Sequence, residues 1–255
     1  MKRELQKKLK AMIGADEFKN LLLNLESSYI NLMNTEALEA FYNRAFLFSI
    51  NAGDGLQYQL SLLADFFSEI EDEVVEIKTV KLTQPDIMDA ESAKKVSPRE
   101  IINYTLEQSG LKLIFGYRIV CVDISDWIDQ CESSEFRAIL SFLKPTASDQ
   151  RIVFRIPAVD EVTLLRVKEA IGHFIAVEEV YTPPFTIDQY YKYAKQLMEE
   201  DGISIDSDAM DDFKELIRIE RNSFYFWGFE SIRRILDELL LEKLREDYGA
   251  DNNEA

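Results

Sequence analysis

Apolar residues recur at helical spacing in the first part of the chain and then give way to short, unbroken apolar runs. Phe18, Leu21, Leu22 and Leu25 share one face of a 3.6-residue period, which predicts a helix there, with a second over 36–43. Ala45–Ile50 (AFLFSI) is continuous, short and aromatic, as a strand buried on both faces should be. The turn-rich stretch Asn51–Gly55 (NAGDG) ends it, and Leu60, Leu63, Phe66 and Phe67 restore the helical period over 56–70. The same alternation predicts strands at Val74–Val80, Arg118–Asp123 (RIVCVD), Arg151–Ile156 (RIVFRI) and Phe174–Val180. Helices are predicted at Ser97–Gln108, Ser134–Leu143 and Glu161–Ile171. The first opens with an S-x-x-E capping box, Ser97 and Glu100, and has Pro98 at its first helical position. Strands alternating with helices predict an α/β fold, a mostly parallel sheet covered by helices on both faces.

Beyond Tyr181 the strand pattern stops. Thr186 and Gln189 form a second capping pair before a helix to about 200, Asp206 or Ser207 can cap another to 221, and Phe229–Glu246 supplies a third. Pro183 and Pro184 mark the change. The expected organisation is a core over 1–182, a small all-helical domain over 183–246 and a frayed polar tail over 247–255.

Charge narrows the choice of partners. Lys and Arg total 29 against 47 Asp and Glu, a net charge of −18 with a pI near 4.5. Such a chain repels phosphate backbones and anionic lipid, so neither nucleic acid nor a membrane is the expected partner, and a protein is. Lys2, Arg3, Lys7, Lys8 and Lys10 form a local exception, expected as the solvated start of a helix. No targeting signal or membrane span is expected, because no apolar run has the length, and the cytoplasm is the expected location. Two cysteines, Cys121 and Cys131, and one histidine, His173, do not make a zinc set of about four ligands, and no G-x-S-x-G elbow is present.

Three marks in fixed order resemble the AAA+ family. Ile13, Gly14 and Lys19 (IGADEFK) are similar to its opening turn and helix. The strand Ala45–Ile50, leading through Gly53 and Gly55 into a helix, stands where the family has its phosphate-binding loop. Asp123 follows the apolar strand IVCV, in the place of the magnesium-binding acid. Ile187–Ile217 also matches the rhythm of the first lid helices in the sporulation and Rubisco-activase-like branch. The resemblance implies a P-loop-type core followed by a helical lid. Each mark has a plainer reading: Gly53 and Gly55 as a turn between any strand and helix, Asp123 as a cap at the end of a core strand.

Against the motif G-x-x-x-x-G-K-[ST], Ile50 stands at the first glycine, Leu56 at the lysine and Gln57 at the hydroxyl. Losing the lysine alone should weaken triphosphate binding roughly 10- to 100-fold, since a charged hydrogen bond contributes about 1.5–3 kcal/mol. Ile124 replaces the acid that positions water. His173 falls at the arginine finger and Glu230 or Ser231 at the lid arginine, with Arg233 and Arg234 slightly later. An arginine finger contributes about 10³–10⁵ in rate. The leading expectation is a pseudo-ATPase without cofactor, ATP or ADP with magnesium being disfavoured. It would act as a protein-binding or regulatory scaffold, for which an active AAA+ ATPase is one implied partner. Phe224, Phe226, Trp227 and Phe229 are its candidate contact surface, or else the filling of the lid's own core. Two rivals stay open: a nucleotide-binding protein using Gly53, Gly55 and Asp123 with weak or no turnover, and an unrelated enzyme using Asp123 and Asp126.

Overall fold

The computed structural model describes residues 1–42, 44–84, 97–110, 117–202 and 207–251. In chain order these form α1 (Arg3–Ala11), α2 (Asp16–Leu32), α3 (Leu38–Tyr42), β1 (Ala45–Ser49), α4 (Leu56–Glu71), β2 (Ile77–Lys81), α5 (Pro98–Gln108), β3 (Ile119–Asp123), a 3₁₀ turn (Ser125–Gln130), α6 (Ser134–Asp149), β4 (Arg151–Ile156), α7 (Glu161–Gly172), β5 (Val177–Tyr181), α8 (Ile187–Glu200), α9 (Ser207–Arg221) and α10 (Gly228–Asp251). They make two compact units. The first comprises Met1–Ile50 and Gln57–Pro183, the second Asn51–Leu56 and Pro184–Ala255.

In the first unit the five strands are all parallel, in the order β2-β3-β4-β1-β5. Every residue of the central strands β1 and β4 is buried, so both faces are mostly apolar and the buried Ser49, Arg151 and Arg155 must find partners. One face, carrying Leu47, Val120, Val122, Ile152 and Phe154, packs on α5, α6 and α7 through Leu106, Phe136, Ile139, Leu140, Leu164 and Val167. On the other, Phe48 meets Phe18 of α2 edge-on at 5.9 Å, and Phe67 of α4 lies 3.8 Å beneath the Arg151 guanidinium, which pairs with Glu71. Cys121 is buried in the sheet, which pushes its thiol up to about 12 and leaves it unreactive.

The edge strands begin three residues later and end one residue later than the hydrophobic pattern predicts. Val74 is exposed, and β2 (IKTVK) and β5 (VEEVY) carry charges on their open sides, which protects an unpaired edge. Phe174 and Ile175 belong to the turn that ends α7, both bonded to the Ile171 carbonyl. α6 runs past the expected end at Leu143 to Asp149, with Pro145 inside it. Both capping boxes form as predicted, although Asp206 lies outside the described residues. α1 keeps its four cations exposed, and Lys2 just before it is exposed too, while Leu5 and Leu9 are buried. Among the described residues no helix is long and apolar enough to cross a membrane.

The second unit is helical. Phe185, Tyr190, Tyr193, Phe226 and Phe229 form an aromatic cluster with ring centroids 4.6–5.9 Å apart. Ala194, Met198, Phe213, Ile217, Ile232, Ile235 and Leu236 are also buried there. α10 continues to Asp251, so the segment expected to fray from Asp247 is helical up to that residue.

Candidate functional site

In an open parallel sheet, ligands bind beyond the carboxyl ends of strands whose onward connections diverge. Here that place lies between β4 and β1: the chain leaves β1 for β2 at one edge and leaves β4 for β5 at the other. Register brings Asp123 of β3 level with Arg155 of β4, and Ile50 follows Ser49, the partner of Ile156. Arg155 is only 7% exposed. Its Nε and Nη2 donate to the Ile50 carbonyl at 3.1 and 2.9 Å, and its Nη1 donates to Asp123 Oδ2 at 3.0 Å and Ser125 Oγ at 2.9 Å. Asp123 Oδ1 accepts the Ser125 N–H at 2.9 Å and the Ser125 hydroxyl. Both carboxylate oxygens are therefore engaged by protein donors, and the cation between these strand ends belongs to the chain itself. Such an arrangement does not fit a carboxylate waiting for magnesium. Asp126 pairs with Lys81 at 3.0 Å, while Asp123 pairs with Arg155.

The loop after β1 belongs to the helical unit and is closed by that unit's own backbone. Gly53 has φ +78, and a Cβ there would overlap the Trp227 carbonyl. Gly228 has φ +51, and a Cβ there would come within 2.5 Å of the Gly53 carbonyl and 2.7 Å of Asp54 Oδ1. The Phe229 N–H donates to the Gly53 carbonyl at 3.0 Å, and Gly55 (φ +89) faces the Phe229 ring. Glycine lets a backbone approach closely, and here the approaching group is a peptide.

Asp54 is 4% exposed and accepts a 2.7 Å hydrogen bond from the Tyr190 hydroxyl. Burial raises its pKa, against the lowering effect of hydrogen bonds from Tyr190 and Asn51 and of the Arg221 charge. Burial, then Asp54 itself, pushes the Tyr190 phenol well above its ordinary range.

Other positions singled out from the sequence fall as follows. Ile50 and Ile124 are core residues; the Ile124 N–H donates to the Arg155 carbonyl. Leu56 is half-buried and Gln57 exposed at the start of α4. Ile13 is buried, Gly14 takes φ +61, and Lys19 pairs with Asp16 at 3.2 Å. His173 is exposed at the end of α7 and Glu230 is exposed in α10. Ser231 is buried, and its hydroxyl accepts the Trp227 N–H at 2.7 Å. Arg234 bonds Glu220 and Glu238. The aromatic segment divides: Phe226 and Phe229 join the internal cluster, whereas Phe224 is 97% and Trp227 53% exposed. Arg155, Ser125, Tyr190 and Gly228 escaped the sequence reading. A strand-interior arginine in an otherwise apolar run was the available signal, since a buried guanidinium requires an anion within reach. Among the described residues no group of three or more His, Cys, Asp or Glu could hold a metal ion.

No family model matches the chain, and no curated protein does. Among solved structures it is similar to domain III of the Thermotoga maritima replication initiation protein DnaA, with 9% identity over 94% of this chain and 89% of that one and a TM-score of 0.48. It is also similar to a replication initiator DnaA bound to AMPPCP and single-stranded DNA, with 11% identity over 95% and 68% of the two chains and a TM-score of 0.48. The Aeropyrum pernix ORC2 protein in its ADP form shares 15% identity over 84% of this chain and 63% of that one, with a TM-score of 0.43.

Arg155→Met should cost about 2–4 kcal/mol, because it leaves a part-buried carboxylate and a buried carbonyl without their donor. Adding Asp123→Leu should recover more than about 1 kcal/mol of that loss in a urea-denaturation double-mutant cycle, and strictly additive costs would contradict the coupling. Gly228→Ala and Gly202→Ala both place alanine at positive φ, but a Cβ at Gly202 meets nothing within 4 Å. Amide exchange over 184–251 should therefore accelerate much more for Gly228→Ala, and equal effects would remove the steric argument. The folded state binds the Asp54 proton more tightly than the unfolded chain does. Its contribution is complete below the ordinary 3.8 and is lost as pH rises through the raised value. Asp54→Asn removes that loss, so urea midpoints of the variant should improve against the parent as pH rises from 3.8 toward neutrality. A pH-independent gap would count against it.

Proposed function

We propose that this chain is a catalytically inactive AAA+-like domain acting as a protein-interaction or regulatory scaffold, with an active ATPase as the class of partner its resemblance implies. The observation that carries the proposal is the Arg155 guanidinium on Asp123, the carboxylate at the magnesium position. A metal ion there would have to displace a buried, multiply bonded cation and share its place with a second positive charge. The loop supports the same reading. Gly53 and Gly55 are the surviving marks of the phosphate motif, and their geometry is matched to Trp227 and Phe229. Asp54 adds a carboxyl group where a phosphate-binding loop needs donors. Leu56 brings no cation, Gln57 no hydroxyl and Ile124 no acid.

The net charge of −18 supports a protein partner over nucleic acid or membrane, and a cytoplasmic location accords with that. The lid rhythm over Ile187–Ile217 supports placement in the sporulation and Rubisco-activase-like branch.

Calorimetry with ATP and ADP, with and without magnesium, and a phosphate-release assay test the proposal together. No hydrolysis above background is expected. Leu56→Lys with Gln57→Thr should add no turnover, because Arg155, Ile124 and the aromatic clasp on Gly53 are untouched. Steady magnesium-dependent phosphate release that Asp123→Ala abolishes would overturn the proposal.

A further inference from the structure

The cationic start of the chain is used neither by the sheet nor by the inactive site. Arg3, Lys7 and Lys10 stand at i, i+4 and i+7 of α1, so they line one stripe about 10 Å long at about 1.5 Å per residue. All three are exposed, and none forms an ion pair or a side-chain hydrogen bond with any described residue. Acids outnumber bases 47 to 29 in this chain, so three neighbouring cations without a carboxylate are a local reversal of sign. α1 gains nothing from Arg3 in particular, since the helix dipole disfavours a cation in the first turn.

Other groups of α1 hold the helix in place. Leu5 and Leu9 are buried, Lys8 pairs with Asp65 of α4 at 3.0 Å, and the Lys2 N–H donates to Glu69 of α4 at 2.6 Å. Glu26 of α2 answers the Met1 ammonium, and Glu4 acts on Lys8. Setting Glu4, Asp65 and Glu69 against Lys2, Arg3, Lys7, Lys8 and Lys10 leaves a balance of +2. These acids are engaged at Met1, Lys2 and Lys8, and the stripe itself stays unanswered.

We infer that the Arg3–Lys7–Lys10 stripe docks a helix of a partner protein whose carboxylates repeat at the same i, i+4, i+7 spacing. The assignment rests on the scaffold reading above and names the partner's chemistry. The stripe is short and bordered by Glu4, Asp65 and Glu69, so it suits a row of anions as finite as itself. A nucleic acid gains affinity by releasing counterions along a continuous track, and phosphates beyond the first 10 Å or about three base steps would run onto those acids. A basic amphipathic helix holds a membrane by inserting its apolar face, and here that face, Leu5 and Leu9, is spent on the fold. A partner helix has neither difficulty, and a stripe already fixed on α2 and α4 loses little entropy when it is met.

The full chain is titrated at low salt into a fluorescein-labelled helical peptide with Glu at i, i+4 and i+7 on one face. A peptide of the same composition with its Glu residues spread around the helix, labelled oligothymidine and phosphatidylserine vesicles are the other probes. Saturable anisotropy with the striped peptide is expected, weakening as salt is raised. Arg3→Gln with Lys7→Gln and Lys10→Gln should weaken it about tenfold, which three exposed ion pairs together can supply. Arg99→Gln with Lys144→Gln and Lys192→Gln removes the same charge from exposed positions elsewhere and should leave binding within about twofold. Arg3→Lys with Lys7→Arg and Lys10→Arg keeps the charge and should keep the binding. Equal binding of the two peptides, equal losses in the two Gln variants, or oligothymidine or vesicles bound through the stripe instead would overturn the assignment. So would self-association of the chain, seen by sedimentation and lost in the stripe variant, which would give the stripe to a second copy. Nucleotide assays on the same samples separate the two readings: ATP turnover would sink the inactive site without touching the peptide result, and a failed peptide titration leaves the inactive site standing.

Discussion

A guanidinium can be taken out of water only when its donors are met, and the carboxyl ends of β3, β4 and β1 are arranged around that condition. Arg155 reaches a carboxylate, a hydroxyl and a carbonyl, the first two from the end of β3 and the third from the end of β1. Their convergence depends on register. A shift of one residue in β4 would turn Arg155 onto the apolar face that packs on α5, α6 and α7. The pair need not add net stability over an apolar replacement of the same volume. Breaking it by removing one partner is costly all the same, and that asymmetry fixes the register more firmly than hydrophobic contact alone.

The same interaction decides what the strand ends can do. A carboxylate is useful to a metal ion only when its lone pairs are available and its surroundings lack another cation. Asp123 satisfies neither requirement, since Ser125 and Arg155 engage both of its oxygens. The acidic residue at the end of a strand is visible in the sequence, but its function depends on a residue 32 positions away that stands beside it only in the folded sheet.

What could be read from the chain divides along physical lines. Central strands are apolar on both faces, so AFLFSI, RIVCVD and RIVFRI were recognisable without a structure. Edge strands bury fewer residues, and the apolar pattern therefore slid onto Val74 and Phe174, which the structure places outside β2 and β5. Capping boxes were legible because they are local, with donors and acceptors three residues apart. Arg155 was hidden because its partners are not local. The aromatic run at 224–229 could not be sorted by period, since most of it is a turn, and only the folded unit separates inward Phe226 from outward Phe224.

Glycine in a loop records that something comes close without recording what. At Gly53 the close group is the carbonyl of Trp227, and at Gly228 it is the carbonyl of Gly53, so each glycine exists for the other's backbone. The clasp has its own polar lock in Asp54, whose burial is only partly compensated by the Tyr190 hydroxyl. A phosphate brought to this loop would meet an acid instead of an amine and an aromatic wall instead of free N–H groups. Mending the two motif residues after Gly55 changes neither obstacle. On the inactive reading proposed above, these contacts give Gly53 and Gly228 a structural reason that needs no phosphate.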